Sequence, residues 1–406
     1  MVSLYDVFYV IAIKGEIKPI EIVASLNKPK EEYQNIFNNV LILEKEGYIK
    51  RDKTIKVIHN EKSERLFTLI SFCTNNSMNY NLLFKENMLE FLEKASKKEF
   101  FTIKEIKIHP QTFNLYTSLL SKYGFLLIVS RKPLKCKLLK HHFLISLLRF
   151  FNRKTNFYVS NKKGFIEEIK KEMSRYKRNL KIHYTVINDL EKKEEVNFIY
   201  SSLNLEGNPL TLPETQKLIL KDIIPEKHKL EHIHEVTNYK KAVDYMITNS
   251  KKKVKLDLNL ILEYHKIAMA HIKEAGELRK QNVRIKLNPN FKTANWKEIP
   301  SKLNNLLEKY NKFNSKDIKN IIEFSAFFHN EFQRIHPFID GNSRISRLLM
   351  LHILRSYGIP LLDLPLGYFD LYLSLTKRST KRDDISFTYL IEEIILMNLK
   401  RINSGF

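Results

Sequence analysis

The sequence predicts a mainly helical protein whose first third holds two small α+β modules. Three observations carry this. Apolar residues recur at helical spacing along most of the chain. Only 10 of 406 residues are glycine, which argues against glycine-rich barrels and dinucleotide folds. Extended patterning is confined to three short places, near 48–58, 125–140 and 282–291.

The length allows two or three domains. With 43% hydrophobic and 28% charged residues the chain can bury real cores. No apolar run approaches the roughly 18 residues a membrane helix needs, and the first ten residues carry an acid and no basic region. Two cysteines, Cys73 and Cys136, are too few for a disulfide framework or a thiolate zinc site. These features read as a cytoplasmic protein with no membrane partner.

The elements follow in order. Positions 4–13 are apolar at helical spacing, Pro19 opens a short helix to 26, and 30–45 forms a third with Tyr33, Ile36, Phe37, Val40, Leu41 and Leu43 on its apolar face. Gly47 stops it, and "YIKRDKTIKVI" reads as a hairpin turning at Asp52 and Lys53. Helix, helix, helix, ribbon is the order of a winged helix-turn-helix, placed at 1–60. A connecting helix and loop fill 61–82. The order then repeats over 83–145: helices at 87–97, 102–107 and 110–122, a stop at Gly124, then strand, basic turn, strand. The pair resembles tandem winged-helix modules.

The net charge is +24, unevenly spread. Residues 1–120 hold 17 Lys or Arg against 15 acids, whereas 121–187 hold 17 against three. In a winged helix the third helix enters the major groove and the wing meets phosphate. Arg131, Lys132, Lys135, Lys137 and Lys140 lie in and beside the second wing, which suits DNA through the N-terminal half. The first module carries Glu31 and Glu32 early on its third helix, the wrong charge for a duplex. A protein-interaction role is the equal alternative. Residues 151–190 read as a basic connector, and 191–406 are almost wholly helical.

The densest chemistry lies in His336-Pro337-Phe338-Ile339-Asp340-Gly341-Asn342-Ser343-Arg344-Ile345-Ser346-Arg347. A helix precedes it at 318–331 and another follows at 342–357, so the segment is a tight loop feeding a helix N-terminus. Free amides and the helix dipole favour an anion there. Gly341 and Asn342 readily adopt the turn that makes an amide nest. Arg344 and Arg347, three apart, present two guanidinium forks on one face, which suits a polyphosphate. Asp340 offers a hard-cation ligand, and His336 can take a proton near neutral pH.

These residues resemble the signature of the Fic family, His-x-Phe-x-(Asp/Glu)-Gly-Asn-Gly-Arg-x-x-Arg, at seven positions. The departure is Ser343 in place of the second glycine; it is harmless in helical backbone and costs roughly 1–2 kcal/mol at positive φ. Upstream, Ser202-Leu203-Asn204-Leu205-Glu206-Gly207 is similar to the family's inhibitory helix, (Ser/Thr)-x-x-x-Glu-(Gly/Asn). The third match is "GELRKQNVRIKLNPNFKTANWKEIP", a Gly-x-x-Arg stretch leading to a β-hairpin flap at about 282–292.

The resemblance implies an all-helical Fic core over 191–406 with a short flap. It implies an enzyme that transfers AMP from ATP to a protein hydroxyl. His336 would be the base, and Asp340 the ligand of Mg²⁺. Gly341, Asn342, Ser343, Arg344 and Arg347 would hold the phosphates, with Tyr368 and Tyr372 either beside the adenine or in the core. Ser202, Glu206 and Gly207 would form an inhibitory segment whose Glu206 pairs with Arg347 where the γ-phosphate belongs. The target protein would lie along the flap, and a homo-oligomer stays open. The competing reading is a DNA-binding regulator that uses the Fic core as a nucleotide sensor or retains it as an inactive remnant.

Overall fold

The computed structural model describes residues 2–157, 164–285, 288, 291–379 and 381–405. The chain divides into two units, Met1–Lys98 with His142–Phe157, and Glu99–His141 with Tyr158–Phe406.

In the first unit, helix Leu4–Lys14 starts at a capping box in which Ser3 and Asp6 satisfy each other's backbone donors. It buries Val7, Phe8 and Ile11. Helices Pro19–Ser25 and Tyr33–Lys45 follow. The expected hairpin forms from Ile49–Arg51 and Ile55–Val57, and a third strand that sequence reading missed, Glu16–Ile17, joins it on the far side of Ile55–Val57. Two residues carry no periodicity, so that strand is set by its partner. Helix Glu61–Asn75 packs on helix His142–Phe150, with Phe72 stacked on Phe143 at 4.4 Å.

The module expected at 83–145 is divided. Its first helix, Glu86–Ser96, belongs to the first unit; its helices Ile103–Ile106 and Pro110–Lys122 and its hairpin belong to the second. The hairpin, Leu126–Arg131 paired with Leu134–Leu138, lies against the long C-terminal helix Asp384–Asn403. Three bases expected to face phosphate also meet protein groups, although Arg131 and Lys135 stay exposed. Arg131 donates to the Lys400 carbonyl at 3.2 Å, Lys137 pairs with Glu393 at 2.5 Å, and the Lys135 ammonium sits 4.6 Å from the Phe100 ring centre. Helix Ile166–Ile182, expected as a connector, is a core element. Ile169, Met173 and Tyr176 recur on its buried face, and Asn403 donates to its Glu172 carbonyl at 3.0 Å. Within the expected connector, residues 158–163 lie outside the described ones.

The remainder of the second unit is helical. Two helices meet at the signature: Ile318–Ile335, which buries ten residues, and Asn342–Ser356, which buries thirteen of its fifteen. That second helix is wrapped on all sides, so its arginines can be aimed only from inside the core. Among the described residues no helix is long and apolar enough to cross a membrane.

Candidate active site

Helix Ile318–Ile335 stops because Pro337 follows. The residue before a proline is disfavoured in helical backbone, and His336 swings to φ 51° and ψ 60°, the left-handed region. This strained position is held at three atoms. The His336 amide donates to Phe332 at 2.9 Å, its carbonyl accepts from Arg279 Nε at 2.7 Å, and its ring Nδ1 lies 3.1 Å from the Gln333 carbonyl. A carbonyl only accepts, so Nδ1 carries the proton and Nε2 is the acceptor. Burial pushes the His336 pKa down to about 4; the Gln333 bond opposes this, and the Arg279 and Lys377 cations add to it. The ring is therefore a neutral base at physiological pH.

The loop after it is pinned by its own residues. Asn342 accepts from the Phe338 amide at 2.9 Å and donates to the Phe338 carbonyl at 2.8 Å. The Phe338 ring is fully buried and stacks on His265 with centres 3.6 Å apart. Gly341 has φ 77°, which favours glycine, and a Cβ there would come within 2.8 Å of Met269 Sδ, so the Met269 side chain would have to shift. Ser343 already lies in the helix Asn342–Ser356 with negative φ. The departure from the family signature therefore carries no backbone strain.

Asp340 is the exposed member of the site, its side chain 64% accessible. Its Oδ1 accepts from the Gly341 amide at 2.6 Å and its Oδ2 from Arg344 at 3.1 Å. One accessible carboxylate at a helix N-terminus fits Mg²⁺, which keeps most of its ligands as water and substrate phosphate. Arg344 is buried; Glu235 lies 3.7 Å from its Nη1, and its Nε has no hydrogen-bond partner among the described residues.

Arg347 is fully engaged. Its Nε donates to Ser202 Oγ at 2.7 Å and Nη2 to the Ser202 carbonyl at 2.9 Å and to Glu206 Oε1 at 3.0 Å, while Nη1 lies 3.4 Å from the Tyr372 hydroxyl. Ser202 is itself fixed by Tyr239, 2.8 Å away. Glu206 follows the helix Tyr184–Asn204, one residue before Gly207 at φ 96°. A carboxylate just past a helix C-terminus faces the wrong end of the dipole. Its place is set by cations: Arg347 on Oε1 and Lys377 on Oε2. Burial alone would raise the Glu206 pKa, but Arg347 and then Lys377 outweigh it and hold the carboxyl at about 2.

Tyr368 and Tyr372 are core aromatics, 1% and 2% exposed. Arg279, buried, donates to the carbonyls of Gln281, Ala294 and His336 at 2.6–2.7 Å. It thus ties both ends of the expected flap to the base's loop. Gly-x-x-Arg was the sequence signal for it. Among the described residues of 282–292 no strand forms; Thr293 Oγ1 bridges to the Val283 carbonyl at 3.2 Å instead. Lys286, Leu287, Pro289 and Asn290 lie outside the described residues. Lys377 had no sequence signal.

Three further buried histidines make the second unit acid-sensitive. Burial pushes His265 and His352 down to about 4 and His329 to about 3. Folded-state values below the ordinary 6.5 mean that the unfolded chain takes up protons first. Stability is then complete above pH 6.5 and is lost as pH falls toward 4. At pH 5 the cost reaches roughly 2 kcal/mol per histidine, a large share of a typical domain's stability. The thermal midpoint of the second unit is expected to drop by well over ten degrees between pH 7 and pH 5. A midpoint flat across that interval would contradict the burial of these rings.

With the geometry in place, comparison with known proteins is informative. Residues 255–354 match the Fic/DOC family. Proteins named protein adenylyltransferase Fic are 28% identical in Drosophila erecta and 27% in Drosophila melanogaster, each over 208 residues. Each alignment covers 50% of this chain and 41% of the relative, so the chain spans about two fifths of the relatives' length. Among solved structures, a Fic domain containing signaling protein from Bacteroides thetaiotaomicron superposes with a TM-score of 0.54 at 24% identity, covering 59% of this chain and 98% of that one. Fic-1 from C. elegans gives 0.50 at 21% identity, covering 59% and 71%. These two likenesses speak to the fold alone.

Proposed function

The second unit of this chain carries a Fic/DOC-family domain, and from that premise we propose that the protein is an adenylyltransferase that moves AMP from ATP to a hydroxyl side chain of a target protein and is restrained by Glu206. The observation that carries the reading is the neutral His336, with Nε2 as acceptor, on the loop that feeds the helix Asn342–Ser356 and its buried Arg344 and Arg347. Names borne by relatives of half this chain support the same chemistry.

In this mechanism the nest at Gly341–Ser343 and the two arginines hold the phosphate chain. Asp340 would hold Mg²⁺, whose charge offsets that of the phosphates. The target enters along 282–292 by backbone pairing, on a segment whose described residues form no strand of their own. Its hydroxyl oxygen bonds to the α-phosphorus, the bond to the β-phosphate oxygen breaks, pyrophosphate departs, and His336 Nε2 receives the hydroxyl proton. Most of the acceleration comes from positioning and from charge held in place beforehand. The test is incubation of the protein and a cell lysate with α-labelled and with γ-labelled ATP. Covalent label from the α position alone supports adenylylation; label from the γ position alone indicates phosphoryl transfer and defeats it.

The DNA reading is weakened at one base of the second wing. Lys137 is paired with Glu393 and mostly covered, while Arg131, Lys132, Lys135 and Lys140 stay exposed, Arg131 and Lys135 each also meeting a protein group. Four phosphate contacts would give a slope of log affinity against log salt of about 4. Duplex titrations of the whole chain that showed a slope near that value would support DNA as a partner, and a slope near zero would remove it.

A further inference from the structure

We propose that Lys377 is a ligand for the terminal phosphate of the nucleotide, occupied by Glu206 until that carboxylate is displaced. The inference rests on the adenylyltransferase reading and adds to it a cation outside the signature.

The geometry starts from the two oxygens of Glu206. Oε1 meets Arg347 at 3.0 Å and Oε2 meets the Lys377 ammonium. The carboxylate thus bridges cations from two places in the fold. Arg347 comes from the helix Asn342–Ser356, and Lys377 from the turn after the helix Phe369–Leu375. A phosphate edge presents the same pair of oxygen acceptors as a carboxylate. Whichever anion replaces Glu206 therefore finds both cations waiting. One carboxylate against two cations leaves a positive surplus, with Arg344 close enough to act on the same carboxyl. A terminal phosphate, carrying nearly twice the charge, matches the pair better.

Lys377 is not a loose surface lysine. Its side chain is 34% exposed, and its backbone is tied down. Asn288, 7% exposed, donates through Nδ2 to the Lys377 carbonyl at 2.7 Å and to the Ser379 carbonyl at 3.2 Å. The Arg378 amide donates to Leu373 at 2.9 Å. Part of the ordering entropy that a free lysine would lose on binding is thereby already lost. The charge of the ammonium also acts on the base, lowering the His336 pKa.

A lysine that merely braced the inhibitory contact would matter only while Glu206 is present. A phosphate ligand matters when Glu206 is gone. The experiment compares the full chain carrying Glu206→Gly with the double variant Glu206→Gly, Lys377→Met, by calorimetric titration with ATP and with AMP. Loss of Lys377 is expected to weaken ATP about tenfold, as for removal of one charge-assisted hydrogen bond, and to leave AMP within about twofold. Lys377→Arg in the same background should restore most of the ATP affinity. Unchanged ATP affinity in the Met variant would overturn the assignment while leaving the adenylyltransferase reading intact. An equal fall for ATP and AMP would overturn it too, because the effect would then be on the fold of the site. Failure of Glu206→Gly to bind ATP at all would remove the adenylyltransferase reading and Lys377's role with it.

Discussion

Glu206→Gly is expected to raise labelling of target and of self by about 10- to 100-fold, while lowering stability. The rise follows from Arg347. In the structure every nitrogen of that guanidinium has a neighbour from Ser202, Glu206 or Tyr372, so a γ-phosphate must compete with a preformed charged contact. Hydrogen bonds to charged groups are worth roughly 1.5–3 kcal/mol, which is the stated range when converted to a rate. The fall follows from the same contact. Removing one partner of a buried pair leaves an uncompensated charge and typically costs about 3–5 kcal/mol, an upper bound here because the Glu206 side chain is 18% exposed. ATP should return part of that loss by mass action, more in the variant than in the parent. Labelling assays and thermal melts with and without ATP check both halves. Equal labelling by the two proteins, with the parent demonstrably active, would sink the inhibitory assignment. Ser343→Gly serves as the control: Ser343 sits in helical backbone, so restoring the family's glycine should change little. If that substitution alone restored labelling, the departure from the signature would be what silences the site.

Removal of the base should have the largest effect on rate. His336→Asn in the Glu206→Gly background is expected to lower transfer by at least a factor of 10² to 10⁴, roughly the worth of general-base catalysis. Asparagine is preferred to alanine because it tolerates the left-handed backbone that His336 adopts. ATP binding should survive, since the nest and both arginines are untouched. The pH profile gives a second check. With its pKa pushed down to about 4, the ring stays unprotonated as the pH falls past 6, so the rate should hold level to near pH 5 and drop below it. A loss centred at pH 6.5 would mean the histidine is solvated in the working state; undiminished labelling by the Asn variant would mean that another group takes the proton.

Much of this site is legible from the linear sequence because its constraints are local. Pro337 ends one helix, Gly341 suits φ 77° beside Met269, and Asn342 closes the loop on Phe338 four residues away. These are contacts across a few residues, and short motifs record them. The pairing of Glu206 with Arg347 spans 141 residues, yet it too could be anticipated, since both ends carry a recognisable pattern. Most of the helices were legible for the same local reason, with Pro110 and Gly124 bracketing one of them.

Other features were decided only by the packed chain. Lys377 reaches Glu206 across 171 residues from a turn with no motif, and a lysine in a lysine-rich sequence carries no mark of its own. The same holds for Arg131, Lys135 and Lys137. In the sequence they read as a phosphate-facing wing, whereas in the fold the hairpin lies on the helix Asp384–Asn403 and all three reach protein groups, Lys137 from a mostly covered position and Arg131 and Lys135 from exposed ones. Charge composition records how many bases a segment has but not which way they face. Direction is fixed by what the apolar face of the hairpin packs against, through Leu126, Leu127, Cys136 and Leu138. Backbone constraints a few residues long thus make the signature loop readable from the linear chain. The tertiary structure decided which cations surround that loop and which are withdrawn from solvent, because those outcomes depend on burial and on partners distant in the chain.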